Sequence, residues 1–447
     1  MPAAAAALLD GSVEADDAPQ AFEMGLAAAS RAERLVSQNL DAFDVRSHER
    51  SLRQYVDSGR EVRGLLQQAL PREVIARRDF NAMSESGRIG GLRREVNKTR
   101  RALPMRELMT QYGDLITQLM PCVLVSPDSL ARFFPAESGM FDIVVFDEAS
   151  QIRVADAIGA MGRASSVVVV GDSKQMPPSS FGEASVSDDA DSDATASESL
   201  TDAESILSEC LSAAVPQQWL SWHYRSQDES LIAFSNLHYY EGRLSSFPAP
   251  GLGVGGGHSD RGLSLVRVGG VFERSGKGKT LRTNRKEAEA IVEEIRRRFE
   301  ASPEAVPSIG VVTFNQQQRA FIEALIRDGG DTRIIEALDS TQEEGLFIKN
   351  LENVQGDERD VILFSTAFSV NANGVLPLNF GPLSLEGGER RLNVAITRAR
   401  RQVVLFTSFE PSQLRVEETK NVGVKHLRSY LEMADVGARA LESARLR

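Results

Sequence analysis

The chain has 447 residues, 42% of them hydrophobic and 26% charged, and carries a formal net charge of −12. That is the balance of an ordinary globular protein with room for two or three domains. Two cysteines, Cys122 and Cys210, five scattered histidines and no apolar run near the roughly 18 residues of a membrane span exclude a disulfide scaffold, a zinc protein and a membrane protein, and make a reducing, cytoplasmic compartment the expectation.

Met1 to Leu9 is rich in alanine but has no basic start and meets Asp10 at once, so no signal peptide is expected. Up to about residue 120 the periodicity is helical. Leu52, Tyr55, Val56, Val62, Leu65, Leu66 and Leu70 recur at three- and four-residue steps before Pro71. Leu108, Met109, Tyr112, Leu115, Ile116 and Leu119 repeat the stripe between Pro104 and Pro121. Both stripes read as core-facing. Residues 72–106 hold ten Lys/Arg against four Asp/Glu. The acidic total therefore does not argue against a polyanionic ligand.

From residue 121 short apolar runs bounded by turn residues appear at Cys122–Val125, Ile143–Phe146 and Val167–Val170. More follow at Leu263–Val268, Ile309–Phe314, Phe347–Lys349, Val361–Ser365 and Val403–Thr407. Helical stretches such as Asn284 to Phe299 and Gln316 to Arg327 separate most of them. Buried strands alternating with helices predict an α/β fold with parallel sheets. Residues 182–204 contain eight acidic residues and no basic one, two thirds of the net charge, and read as a disordered loop. That loop and Pro216 divide the α/β region into two units.

Five strings carry chemistry. In FDIVVFDEASQ, residues 141–151, a strand ends in Asp147-Glu148, which puts two carboxylates at the carboxyl edge of a parallel sheet. One can hold Mg²⁺ through water and the other can orient and deprotonate a water; the alternative is that Asp147 or Ser150 caps the next helix. In VVVVGDSKQMPP, residues 167–178, Gln175 follows Gly171-Asp172 and can sense a phosphate, unless Asp172 merely makes an Asx turn. Tyr224-Arg225, in WLSWHYRSQDESLIAFSN, offers a stacking ring and a planar fork for phosphate. Gln355-Gly356 and Glu358 lead into a strand in ENVQGDERDVILFST. In RRLNVAITRARR, residues 390–401, five arginines span a helical register with Arg391 and Arg398 on one face; a solvated surface is the usual reading of such a helix.

In this order and spacing the five strings resemble the superfamily 1 helicases, and most closely the branch that includes the nonsense-mediated-decay RNA helicase. The resemblance covers roughly residues 100–435. It implies two RecA-like parallel-sheet lobes, the first incomplete, preceded by a helical segment. Residues 1–120 would be a helical insertion or stalk of the first lobe, 121–215 the rest of that lobe, 216–425 the second lobe and 426–447 a helical tail. It implies ATP and Mg²⁺ as cofactors, with Asp147 binding the metal, Glu148 activating water and Gln175 coupling the γ-phosphate to the nucleic acid. Tyr224 would stack on adenine, Arg225 and Arg398 would be arginine fingers, Gln355 and Gly356 would help bind nucleotide, and Glu358 would approach the ribose. Ser126, Pro127, Thr313 and Asn315 match positions near the nucleic-acid backbone. The implied partner is single-stranded nucleic acid, DNA before RNA, with a nuclease domain or subunit as a further one.

A motor of this kind needs a phosphate-binding loop, G-x-x-x-x-G-K-[ST], ahead of the Asp-Glu pair, and no match precedes Asp147. The string Gly276-Lys277-Gly278-Lys279-Thr280 has Glu273 where the pattern needs glycine, so it reads as a basic loop, and a small-molecule kinase built on Lys279-Thr280 fails on spacing. The expectation is that an upstream polypeptide supplies the loop and that only the second lobe folds well without it. The competing expectation is a non-hydrolysing remnant that binds nucleic acid or a partner.

Overall fold

The computed structural model describes residues 18–78, 86–178, 205–248, 261–275, 280–340 and 344–436. The acidic run 182–204 and Gly276 to Lys279 lie outside the described residues. The chain divides into two compact units, Met1–Pro135 and Ala136–Arg447.

The first unit is helical: α1 (Ala18–Ser37), α2 (Val45–Ala76), α3 (Gly87–Val96), α4 (Met105–Leu119) and α5 (Pro127–Phe133). Asp44 starts α2 by accepting from the backbone N–H groups of Arg46 and Ser47. Contrary to the core-facing reading, α2 buries none of its residues, and Tyr55 is 78% exposed. Periodicity identifies an apolar face but not what it meets. Pro71 also lies inside α2 instead of ending it. The α4 stripe does pack: Met109 is buried and Leu108, Tyr112, Leu115, Ile116 and Leu119 are half-buried. Arg88 of α3 grips Asp114 of α4 at 2.6 and 2.8 Å. Cys122–Val125 forms no strand, and Leu124 is 97% exposed. An apolar run becomes a strand only where a neighbour takes its backbone groups, and none does here among the described residues.

The second unit begins with β1 (Phe141–Phe146), α6 (Val154–Met161) and β2 (Ala164–Val169), followed by α7 (Ile206–Ser212), β3 (Trp222–His223), α8 (Ser230–His238) and β4 (Ser245–Ser246). It continues with β5 (Gly262–Arg267), α9 (Arg285–Ala301), β6 (Ile309–Thr313), α10 (Gln316–Asp328), α11 (Thr332–Asp339) and β7 (Phe347–Asn350). The last elements are β8 (Arg359–Ser369), α12 (Gly388–Ile396), β9 (Ala399–Ser408) and α13 (Val422–Val436).

Among the described residues the strands form two two-stranded sheets (β1-β2, β3-β4) and one five-stranded sheet in the order β5-β9-β8-β6-β7, and the strands within each pair in parallel. The large sheet is covered on both faces. Ile362 and Phe364 of β8 point into a core with α8, α12 and α13; Val361 and Leu363 point into a second core with α9, α10 and α11. This explains why its strands read as continuous apolar runs: all five residues of β6 are buried. β8 and β9 run past the apolar runs that announce them: Arg359 joins the ladder through its backbone N–H, which donates to the Arg398 carbonyl at 3.1 Å, while its side chain donates to the Gly345 carbonyl at 2.6 Å. Asn284 and Asn315 start α9 and α10 by accepting from Glu287 and Gln318 N–H.

The β1-β2 sheet is different. Its register pairs Val145 with Val168 on the face that also carries Ile143, and these three side chains are 59%, 45% and 56% exposed. α12 ends at Ile396, so the expected helical register through Arg398, Arg400 and Arg401 is not formed. The chain turns at Thr397 and enters β9 at Ala399, because Val403 to Phe406 complete the buried ladder beside β8.

Candidate functional site

The carboxyl ends of β1 and β2 meet a loop of the large sheet, and this places the motif residues together. After β1, Asp147 accepts the Glu148 N–H through Oδ1 at 2.9 Å, and Glu148 takes a left-handed conformation (φ 50°). Asp147 therefore caps no helix, and its second oxygen has no hydrogen-bond partner among the described residues. Val170 N–H bonds to Phe146 carbonyl at 2.8 Å and Ala149 N–H to Val170 carbonyl at 2.9 Å, which zips the β2 end onto this turn. Gly171 makes the approach possible: a Cβ there would sit 3.1 Å from the backbone nitrogens of Ala149 and Ser150. Asp172 makes the Asx turn foreseen for it, accepting from Lys174 N–H at 2.8 Å, and also holds the Gln175 amide at 3.1 Å.

From the large-sheet side, Gly356 (φ 86°) shapes the loop before β8 and leaves Gln355 facing the first sheet. The Gln355 Nε2 lies 3.4 Å from Glu148 Oε2 and 3.5 Å from Gln175 Oε1, two long contacts. Its Oε1 is buried and has no partner among the described residues. Arg225 Nε donates to Glu358 Oε2 at 2.6 Å, and its Nη1 reaches the Thr397 carbonyl at 3.4 Å. Arg225 beside it holds the Glu358 carboxyl below the usual range. Arg400 adds a weaker contact to Glu358 at 3.4 Å while gripping Asp360 at 2.7 Å and Glu344. Tyr224 stands 78% exposed beside Arg225.

Arg398 is 2% exposed. It donates to the Val394 carbonyl at 2.6 Å and the Thr397 hydroxyl at 3.2 Å, and no carboxylate among the described residues pairs with it. Burial, then repulsion from Arg225, pull it down to about 10; the charge of Glu148 acts the other way. The guanidiniums of Arg225 and Arg398 thus stand close enough to repel each other, with the carboxylates of Glu148 and Glu358 as the nearby counter-charges and only Arg225 directly paired among the described residues, which leaves Arg398 suited to an incoming anion. Among the described residues no cluster of three or more His, Cys, Asp or Glu could hold a metal by itself. Mg²⁺, which keeps waters and takes one or two carboxylates plus substrate phosphates, still fits Asp147.

The remaining expected residues lie elsewhere. Thr313 is fully buried, its hydroxyl donating to the Asn315 carbonyl at 2.8 Å, and Asn315 Oδ1 accepts from Gln318 N–H at 2.7 Å. The Asn315 Nδ2 is buried without a partner among the described residues. Ser126 and Pro127 open α5 in the first unit, where Ser126 Oγ accepts from Ser129 N–H at 3.2 Å. Sequence reasoning missed Tyr240 and Asn393, which meet Asp172 and Lys174 beside Gln175. Asn393 left a signal, a lone amide inside an apolar helix string; Tyr240 left none.

A family described as an AAA domain matches residues 203–410. The chain is 31% identical over 329 residues to an uncharacterized ATP-dependent helicase of Mycoplasma genitalium, an alignment covering 72% of this chain and 28% of that one. It is 28% identical over 282 residues to a probable helicase of Arabidopsis thaliana, MAGATAMA 3, covering 60% of this chain and 30% of that one. The chain belongs to a superfamily 1 helicase-like family. It spans 28% of the Mycoplasma genitalium relative and 27% of its Mycoplasma pneumoniae homolog. Among solved structures, the helicase of PRRSV aligns with 13% identity and a TM-score of 0.28, over 68% of this chain and 45% of that one. The helicase-like chain has no described helix long and apolar enough to cross a membrane.

Proposed function

We propose that this chain is part of a helicase motor that couples ATP hydrolysis to movement along single-stranded nucleic acid, DNA before RNA. The observation that carries the reading is the meeting of two sets of groups. Glu148 and Gln175 follow the strands of the small β1-β2 sheet, Gln355 and Arg398 lie in turns that lead into strands of the large one, and Arg225 comes from the segment between β3 and α8, with Gln355 Nε2 3.4 Å from Glu148. The names of the relatives, ATP-dependent helicase and probable helicase, support the same reading.

In this mechanism Asp147 would hold Mg²⁺, which would supply charge neutralisation on the phosphates. Glu148 orients the attacking water and accepts its proton, while Gln175 bonds to the γ-phosphate. Arg398 is already buried and has no acid partner among the described residues, so it meets the phosphate charge with little desolvation left to complete. Arg225 must first leave Glu358. That exchange frees the Glu358 carboxylate for the ribose hydroxyls, while Tyr224 stacks on the base. Because Asp147, Glu148 and Gln175 follow the strands of the small sheet whereas Arg398 leads into the large one, the site is complete only when the cleft closes, and closure and opening move the strand. Asn315, held by Thr313, and Ser126-Pro127 serve the nucleic-acid backbone.

The phosphate-binding loop comes, in this proposal, from a segment outside these 447 residues. The bare face of Ile143, Val145 and Val168 supports this, since parallel sheets are covered on both faces. A non-hydrolysing remnant is the second reading, favoured by the sequence lacking a phosphate-loop string before Asp147. ATP hydrolysis by the chain, with and without single-stranded DNA and beside Glu148→Gln, tests both. Strand-stimulated turnover lost in the variant supports a motor that needs no added loop. Turnover that appears only when a loop-bearing segment of a relative is added supports the full proposal. No turnover in either case leaves the remnant.

A further inference from the structure

The end of β2 is fastened to the large-sheet side by a polar cluster in which Asp172 and Gln175 meet two residues not singled out from the sequence, Tyr240 and Asn393. Asp172 Oδ2 accepts from the Tyr240 hydroxyl at 2.6 Å as well as from the Gln175 amide at 3.1 Å. The Tyr240 oxygen accepts in turn from Asn393 Nδ2 at 2.9 Å, and the same amide group donates to the Lys174 carbonyl at 2.9 Å. Tyr240 is 8% exposed and Asn393, on α12, is fully buried. Met176, next to Gln175, packs against the apolar core under α8, α12 and α13. Burial, reinforced by the Asp172 charge, raises the Tyr240 hydroxyl above its ordinary range, so it keeps its proton and acts as donor.

The chemistry of the cluster is ordered. Asn393 can only donate through Nδ2, the tyrosine passes one bond on, and the carboxylate terminates the chain. The carboxylate that receives the tyrosine is also the one that holds Gln175, and α12 runs directly into Thr397-Arg398. We infer that Tyr240 and Asn393 are positioning residues: they clasp the Asp172–Gln175 turn onto α12 and so set Gln175 relative to Arg398. The clasp stands on geometry alone; its bearing on hydrolysis rests on the function proposed above.

Hydrogen exchange on the full chain and its Tyr240→Phe variant tests the clasp, because phenylalanine keeps the ring and removes only the hydroxyl. Peptides across residues 170–177 are expected to exchange about tenfold faster or more, the loss of a bond to a charged acceptor, with Ile309–Thr313 and Val403–Phe406 unchanged. Unchanged exchange at 170–177 overturns the clasp. So does a rise that extends through the core strands, which would make the hydroxyl a bond of the whole fold. Asp172→Asn should give the same local pattern, and combining it with Tyr240→Phe should add less than the sum of the two; full additivity would overturn the shared bond. In the hydrolysis assay Tyr240→Phe should lower kcat at unchanged KM, and a raised KM at unchanged kcat would overturn the link to Gln175. If the parent protein shows no turnover even with the loop-bearing segment added, the functional reading fails while the exchange result still decides the clasp.

Discussion

A buried guanidinium without an acid partner is costly, and among the described residues Arg398 is in that position, with a carbonyl and a hydroxyl to receive its donors. Arg398→Met should therefore leave urea stability within about 1 kcal/mol of the parent or raise it. In a preparation that turns over ATP it should cut kcat by about 10³ or more, the worth of an arginine finger. A loss of stability matching the loss of turnover would make Arg398 a structural residue. Glu287 shows the opposite kind of burial. It is fully buried, yet its carboxylate accepts from Ser408 at 2.7 Å and from Ser365 and the Ala367 N–H at 2.8 Å. These bonds pin Ala367 in its left-handed conformation (φ 65°), where β8 is irregular. Burial pushes the Glu287 carboxyl up to about 7 from an ordinary 4.5. Between these values the folded protein holds a proton that the unfolded chain has released, so stability falls as pH rises from about 4.5 to 7 and is level above. The change is on the order of 3 kcal/mol. Urea titrations at pH 5 and 8 should show it, and Glu287→Gln should flatten it. Arg398 was legible because it closes a dense motif. Glu287 was not, because in sequence it is one more acid in a charged helix, and only the fold brings Ser365 and Ser408 to it.

Strands were the most legible elements, since a strand covered on both faces has to be apolar throughout, as β6 is. The same rule misled at Cys122–Val125, where the composition is right and no neighbouring strand exists among the described residues. Helix ends were harder. RRLNVAITRARR keeps helical spacing through Arg401, but the helix stops at Ile396 because the ladder of β9 with β8 claims the residues beyond Thr397. Nothing local announces that competition. The loop between β7 and β8 is a case where a single residue was decisive. Gly356 has φ 86°, and a side chain there would meet nothing within 4 Å. Gly356→Ala therefore carries only backbone strain, about 1–2 kcal/mol by urea titration, and a cost near zero would show that the loop relaxes. Because Gln355 is its neighbour, the relaxed loop would also carry Gln355 away from Glu148, and the two results can be compared directly.

Over the whole molecule, stability is concentrated in one place. α1 and α2 bury none of their residues, and the first unit's buried apolar side chains are few, Leu92, Met109, Leu130 and Phe134 among them. The large sheet has two packed cores, one on each face. The sequence changes texture at residue 121, whereas the compact units part after Pro135, because Arg106 of α4 donates to the Ala131 and Arg132 carbonyls of α5 at 3.2 and 3.3 Å. Such a contact across a helix boundary is invisible to periodicity. It follows that the chain should not unfold in one step. Tyr239, Tyr240 and Tyr430 are all buried in the large-sheet unit, so near-ultraviolet circular dichroism reports that unit. Far-ultraviolet ellipticity at 222 nm reports helices of both units. In a urea titration part of the helical signal should be lost first, with the tyrosine signal intact, followed by a cooperative loss of both. The two tryptophans, Trp219 and Trp222, are 39% and 52% exposed and should change emission little in either step. Coincident helical and tyrosine transitions would mean that the long helices draw their stability from the large-sheet unit, and that the exposed face of α2 is covered in solution.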